Sequence, residues 1–515
     1  MDSVFKCILL ALLMLVLVIP IILQHVYAFQ LFQTSFVTIT LYGWYVIIYL
    51  SIQFVLAVLN NISTTKRASK QNTSIEQGAP KFNVVVVGYR ENPVYFKNCL
   101  KSIANLSFNK LFIVIDGCTE EDQYMVDIVK DEFHERCTHV VLEQSSPLAH
   151  STTDYKVVCV SQAHSGKRNV MYTGFLLCAL DSPQVEYVMC TDSDTMLYPD
   201  SAELMVNLMS TSTNIGGVAG NLGIFDKYVS FMTFSSSIRY WFAFNLERAY
   251  QSFNDYVLCI SGPIGMYRLD VLQQVMDAWK NQTFLGQSCT YGDDRHLTNH
   301  ILGLGYKVLY LPSACALTET PCHIYKFYKQ QTRWSKSAYR EMLWTVSSVH
   351  KHSPFMTIDI TYTLLYPFFV MGYLLYVLYA GTAFELALYL SIIYLFGVVK
   401  SVYGAILGNV ENIFYFSYGI VYLCVVFPAK LWALFNLKDI SWGTATRKEG
   451  LESYQLDVVF LVLWNIVLLT GLGLNVTRGH GHLVYLLTIM GIWVGSFIIV
   501  YSYARIQQYR VSKNK

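Results

Sequence analysis

Charge is what this chain has least of. Charged residues fill only 14% of its 515 positions and hydrophobic ones 54%, a balance too apolar for a purely soluble protein of that size. The net charge is only +2, so no strong field exists to gather nucleic acid. The 12 cysteines include no C-x-x-C pair and fall mostly in the polar middle of the chain, which excludes a zinc ribbon and points to reduced thiols facing the cytosol instead of a disulfide framework. His134-Glu135 and His139 are spaced one residue too widely for a metalloprotease H-E-x-x-H. Gly166-Lys167-Arg168 offers a cation for phosphate but lacks the upstream glycine of a P-loop. The first hydrophobic run, Phe5 to Phe29, has no clear small-residue cleavage site and is too long for a signal core, so it reads as a membrane anchor.

Long hydrophobic segments, by contrast, are plentiful. Residues 9–29 and 38–59 each reach the roughly 20 residues a spanning helix needs and predict a hairpin. The polar stretch 61–81 carries Lys66, Arg67 and Lys70, which places it and the N-terminus on the cytosolic side. Five more segments follow, at 358–380, 383–407, 412–436, 453–475 and 483–504. If all five crossed, the basic tail with Arg505, Arg510, Lys513 and Lys515 would lie outside. The segment 412–436, with Pro428 and Lys430, is therefore expected to be interfacial or re-entrant, leaving six spans. Gly404/Gly408 and Gly491/Gly495 predict close helix packing. Between the two membrane regions, apolar runs such as 84–87, Leu111–Ile115 and 187–190 read as buried parallel strands of an α/β domain. Amphipathic stretches at 227–253 and 324–349 suit the membrane interface. The layout is a hairpin over 1–60, a cytosolic linker over 61–81, an α/β domain over 82–320 and an interface helix over 321–352. Membrane helices follow over 353–408, an interfacial helix and loop over 409–450, two more membrane helices over 451–506, and a basic tail over 507–515. The sequons at Asn105 and Asn281 fall in the cytosolic domain and are expected to stay unmodified.

The chemistry sits at the ends of the strands. Asp116-Gly117 closes the run Leu111–Ile115; alone it is usually a turn, but its carboxylate can accept a nucleobase N–H. Asp192 and Asp194 follow Tyr187-Val188-Met189-Cys190, and as hard oxygen ligands they suit Mg²⁺ or Mn²⁺ on a diphosphate. Asp293-Asp294 stand before Arg295 at an expected helix start, where one acid can cap and the other can take a proton from an acceptor hydroxyl. Gln330-x-x-Arg333-Trp334 puts a diphosphate partner and a sugar-stacking ring on the second interface helix, where membrane anchoring is the plainer alternative.

Together with Cys259-Ile260-Ser261-Gly262-Pro263-Ile264-Gly265, Tyr291-Gly292-Asp293-Asp294-Arg295-His296 and Ser441-Trp442-Gly443-Thr444, these residues resemble membrane-integrated family 2 glycosyltransferases, and more narrowly class I hyaluronan synthases, over nearly the whole chain. The resemblance implies a GT-A-like, Rossmann-type mixed sheet embedded in an α-helical transmembrane bundle. It implies processive, inverting transfer from UDP-GlcNAc and UDP-GlcA to a growing polysaccharide exported through the protein's own helices. It assigns UDP contacts to Tyr89, Glu91, Asp116, Lys167, Asp192, Gln330, Arg333 and Trp334, the metal (Mg²⁺ or Mn²⁺) to Asp194, and the general base to Asp294 beside Asp293. Cys259, Ser261 and Gly262 match a priming loop below the acceptor near Trp334, while Trp442 and Arg447 match a gating loop. A monomer in the plasma membrane, with both termini cytosolic and no nucleic-acid partner, is expected. Asn221 stands where the family has an acidic residue, a departure that touches the acceptor environment. A chitin synthase using UDP-GlcNAc alone and a non-enzymatic transporter are the competing expectations.

Overall fold

Short runs of Val, Ile and Phe without polar alternation, bounded by turn residues, suit strands covered on both faces. The computed structural model describes residues 35–70, 82–142, 155–181, 185–438, 454–478 and 483–513. In it, β1 (Phe82–Gly88), β2 (Leu111–Ile115) and β5 (Tyr187–Asp192) lie side by side at the centre of a nine-stranded sheet, with Val84, Val85 and Val86 fully buried. The remaining strands are β3 (Cys137–Leu142), β4 (Val157–Gln162), β6 (Met196–Leu197), β7 (Ile215–Ile224), β8 (Gly265–Arg268) and β11 (Lys307–Thr318), and β9 with β10 (Thr283–Phe284, Gln287–Ser288) makes a separate small hairpin. The order is β3-β4-β2-β1-β5-β8-β7-β11-β6. Pairing is parallel except that β8 runs against β5 and β7, and β6 against β11. From β1 the chain moves outward to β2 and then returns to β5 on the other side. The crevice between β1 and β5 is thus a switch point, the place where an open α/β sheet binds its ligand.

The first described helix, Ser35–Lys70, does not stop at Leu59. The polar stretch expected as a linker continues the helix to Lys70 because the α/β domain covers it: Asn60 and Thr64 are buried, Asn60 donates to the Tyr310 carbonyl at 3.5 Å, and Arg67 donates to Thr211 Oγ1 at 2.7 Å. The helix therefore fastens the domain rigidly to the apolar end. The predicted segment 9–29 lies outside the described residues.

Six helices among the described residues are long and apolar enough to cross a membrane: Ile48–Lys70, Pro354–Tyr379, Ala383–Leu407, Val410–Phe435, Leu456–Arg478 and Leu483–Lys513. The segment expected to be re-entrant meets that standard of length and composition. It is not a regular helix, however: a 3₁₀ stretch (Val410–Ser417) and a π stretch (Tyr422–Val426) interrupt it. The interface helix after β7 is likewise Phe231–Phe242, a π turn over Ala243–Arg248 and then Ala249–Phe253. Gly404 and Gly408 do mark a close approach, since a Cβ on either would strike Phe242 or Trp241 of that helix at 2.5 Å or less. Among the described residues nothing lies within 4 Å of the missing Cβ atoms of Gly491 and Gly495.

Candidate active site

Register alone brings the first acids together. Gly88 pairs with Ile115 and Val87 with Asp192, so Tyr89, Asp116 and Asp192 emerge at neighbouring strand ends. They line one end of a cavity of about 1140 Å³ that continues past Asp294 and Trp334 to Tyr366, Lys400, Tyr418 and Lys430 on the membrane helices. Glu91, Lys167, Asp194, Cys259, Ser261, Gly262, Asp293, Gln330 and Arg333 line the same cavity. Every predicted site residue that is described is thus in one place. Trp442 and Arg447 lie outside the described residues. Asn221 does not line the cavity; its amide donates to the Pro312 carbonyl at 3.3 Å and accepts from Asn245 at 3.3 Å, so the departure noted in the sequence belongs to the packing of the π turn.

Asp116 is held by the loop before the helix Lys167–Leu180. Ser165 N donates to its Oδ1 at 2.8 Å, Gly166 N to its Oδ2 at 3.0 Å, and His164 Nδ1 lies 2.9 Å from Oδ2. Lys167 follows at once, with Nζ 2.6 Å from Asp192 and 3.7 Å from Asp293. Burial opposes the charge on Lys167, but the two carboxylates outweigh it and hold the ammonium above its usual range. Asp192 and Asp194 do not share an extended strand as alternation predicts. The strand ends at Asp192, and a turn closed by Thr195 N on the Asp192 carbonyl at 3.2 Å carries Asp194 inward. Burial, then the charges of Asp192, Glu91 and Glu319, pushes the Asp194 carboxyl up to about 8. Burial and Glu91 likewise push Glu319 to about 7. A divalent cation would relieve this accumulated negative charge, and hard carboxylate oxygens suit it. Among the described residues no three His, Cys, Asp or Glu side chains converge on one metal position, so oxygens from a bound diphosphate would complete the coordination.

The second pair of acids begins the helix Asp293–Gly303, capped by Gly292 with φ of 80°. The N-cap residue Gly292 has no side chain to cap with, Asp294 satisfies a first-turn N–H with its own carboxylate, and both acids gain from the positive end of the helix dipole. Asp294 Oδ1 accepts from Arg295 N at 2.8 Å, and Oδ2 faces Cys259 Sγ at 3.3 Å. Burial, then the Asp294 charge, pushes the Cys259 thiol up to about 12, so it stays a neutral donor. The loop carrying Cys259 is clamped on both sides: Ile260 N donates to Thr298 Oγ1 at 2.9 Å, and Thr191 Oγ1 donates to the Pro263 carbonyl at 2.8 Å. Gly262 lets it come close, since a Cβ there would sit 2.9 Å from Lys167 Nζ and 3.0 Å from Asp192 Oδ2.

On the helix Ile324–Thr345, Trp334 faces Tyr240 with ring centroids 6.1 Å apart. Arg340 from the same helix donates to the Tyr291 carbonyl at 2.7 Å, which pins the turn ahead of the acids. A Cβ on Gly292 would meet Ser337 Oγ at 2.2 Å, on top of the strain of its left-handed φ. Gly292→Ala is therefore expected to shift Asp294 against Trp334 and lower kcat by about 10²-fold. Steady-state turnover beside a thermal melt checks this, and an unaltered kcat would show that the turn has slack.

Sequence reasoning missed His164, Tyr240 and Arg248. Arg248 donates to Ser261 Oγ at 2.7 Å and stacks on Phe244, with Cζ 3.8 Å from the ring centroid. Its entry into the cavity depends on the π turn, which no residue pattern announces.

A family model described as chitin synthase matches residues 171–458, more than half the chain. The chain is 38% identical over 403 residues to hyaluronan synthase 3 of Xenopus laevis, covering 75% of this chain and 72% of that one. It is 35% identical over 481 residues to hyaluronan synthase 2 of Rattus norvegicus, covering 88% and 85%. Among solved structures, a mannosyltransferase from Pyrobaculum calidifontis in complex with GDP-Man and Mn²⁺ aligns with 81% of this chain and 98% of its own at a TM-score of 0.40 and 13% identity, a likeness too slight to build on.

Proposed function

The chain belongs to the hyaluronan synthase family, and from that premise we propose that it polymerises GlcNAc and GlcA alternately from their UDP-sugars and exports the chain between its own membrane helices. The observation that carries this reading is the single cavity joining the strand-end acids to the membrane helices. A soluble glycosyltransferase needs no such extension, and a transporter needs no such acids.

In this reading the nucleobase lies on Tyr89 and Asp116, and the diphosphate lies against Lys167 and Arg333, with Glu91, Asp192 and Gln330 completing its surroundings. A Mg²⁺ or Mn²⁺ at Asp194 supplies neutralisation of the diphosphate charge when bound. The acceptor sugar rests on Trp334 above Cys259, Ser261 and Gly262. Asp294 takes the proton of the acceptor hydroxyl as that oxygen attacks the anomeric carbon. The bond from that carbon to the UDP oxygen breaks on the opposite face, and the configuration inverts. Lys167 and Arg333 stabilise the charge left on UDP. The path into the membrane passes Pro367, which lies within the helix Pro354–Tyr379 and leaves the Thr363 carbonyl without its helical N–H, and both residues line the cavity. We place the protein in the plasma membrane as a monomer, with the α/β domain and both termini cytosolic and 412–436 as a re-entrant or interfacial segment.

UDP release by the purified protein in detergent with Mn²⁺ tests the reading. Turnover is expected only with UDP-GlcNAc and UDP-GlcA together, giving a hyaluronidase-sensitive polymer. Full turnover with UDP-GlcNAc alone, and an insoluble product, would transfer the protein to the chitin synthases, whose family model also matches the catalytic region.

A further inference from the structure

Tyr89 and His164 stack on each other, with ring centroids 4.2 Å apart and planes 20° from parallel. His164 Nδ1 lies 2.9 Å from Asp116 Oδ2 and 3.3 Å from the Asp116 carbonyl oxygen. A ring nitrogen facing two acceptors carries its proton, so the imidazole donates an N–H to Asp116. A flat ring on Tyr89 with an N–H on Asp116 is also what a pyrimidine imide would present if it used both residues.

The two cannot be present together. Aromatic pairs ordinarily sit about 4.5 Å or more apart between centroids, so nothing enters between rings already at contact. Of the other acceptor positions on Asp116, the backbone N–H groups of Ser165 and Gly166 take two, and Ser165 Oγ faces Oδ1 at 3.5 Å. A base stacked instead on the outer face of His164 would be one layer too far from Asp116 to bond to it. The imidazole can swing out, for its side chain is 55% exposed.

We propose that His164 is a built-in nucleobase mimic: it occupies the base position when no donor is bound, and the uracil of either UDP-sugar displaces it. This rests on the reading that Tyr89 and Asp116 hold the base. His164 then tunes donor affinity without touching the reacting atoms, because the apparent Kd rises as the open fraction of the site falls. Its action is the same for both donors, since the base is common to them.

Calorimetric titration of the full-length protein in detergent with Mn²⁺ tests this. His164→Ala is expected to tighten UDP, UDP-GlcNAc and UDP-GlcA by one common factor of about 5- to 20-fold, the range set by losing one competing hydrogen bond and its stack. His164→Phe keeps a stacking ring without the N–H and is expected to fall between wild type and alanine. Inorganic pyrophosphate, which has no base, is expected to bind wild type and His164→Ala alike. Equal or weaker UDP binding by His164→Ala overturns the proposal, making His164 a bystander or a direct contact. If Asp116→Asn binds UDP as well as wild type does, the base-site reading itself fails and the mimic with it.

Discussion

Asp294→Asn is expected to cut UDP release with both donors by about 10³-fold, inside the 10²- to 10⁴-fold span that a positioned general base supplies. The substitution is nearly isosteric, and an asparagine oxygen can still accept from Arg295 N, the bond made by Asp294 Oδ1 at 2.8 Å. The helix start should therefore survive, and with it the Asp293 carbonyl that receives Trp279 Nε1 at 2.8 Å. What is lost is a carboxylate able to take a proton. Of the groups that hold UDP in this reading, Asp116, Lys167 and Asp192, only Lys167 feels the Asp294 charge, and less than it feels Asp192 and Asp293, so the Kd for UDP is expected to change little. Turnover, UDP titration and a thermal melt on the same preparation separate these effects. Wild-type turnover would remove Asp294 as base, while lost UDP binding would place it in the donor site. Polymer movement halted with UDP release intact would be the signature of a transporter.

The strand-end half of the site was legible because two rules coincide there. Short apolar runs bounded by turn residues suit buried strands, and an acid at the end of such a run stands at the strand's end, where an open α/β sheet binds its ligand. Asp116 and Asp192 follow from that alone. The order of strands was not legible, and it is the order that makes β1 and β5 neighbours. Asp194 escaped the alternation argument because the chain turns after Asp192. Arg248 escaped for a related reason: a π turn slips the helix by one residue, and only packing against the rest of the fold decides where the slip falls. Asn221 drew attention by its type, yet its partners are other backbone and amide groups. The helical continuation to Lys70 shows the converse. A stretch read as a linker is helix, with Asn60 and Thr64 buried, because a domain distant in sequence covers one side of it.

The largest stability effect is expected at a residue that no motif singles out. Glu341, on the helix of Gln330, Arg333 and Trp334, is 3% exposed and satisfies three buried donors: His296 Nδ1 at 2.9 Å, Asn299 Nδ2 at 2.8 Å and Gln282 Nε2 at 2.7 Å. Gln282 in turn accepts from Arg168 Nη2 at 2.7 Å, and Arg168 adjoins Lys167. One carboxylate thus joins the helix carrying Asp294, the helix carrying Trp334 and the start of the helix carrying Lys167. Burial alone would raise the Glu341 carboxyl, but the bonds from His296, Asn299 and Gln282 hold it below its ordinary 4.5. Its contribution is therefore fully present above that value and is lost as pH falls through the lowered one. Glu341→Leu fills the space but leaves three largely buried donors without their acceptor, a loss of about 3–5 kcal/mol by the measure of broken buried pairs. Glu341→Gln keeps an acceptor and is expected to cost less. Thermal unfolding in detergent at neutral pH reads the difference, and a melt unchanged by leucine would mean that these helices are held together by apolar packing alone. Where Glu341→Gln still folds, its kcat is expected to fall more than its affinity for UDP, because the web it loosens aligns base and acceptor, whereas the nucleotide is gripped from the strand ends.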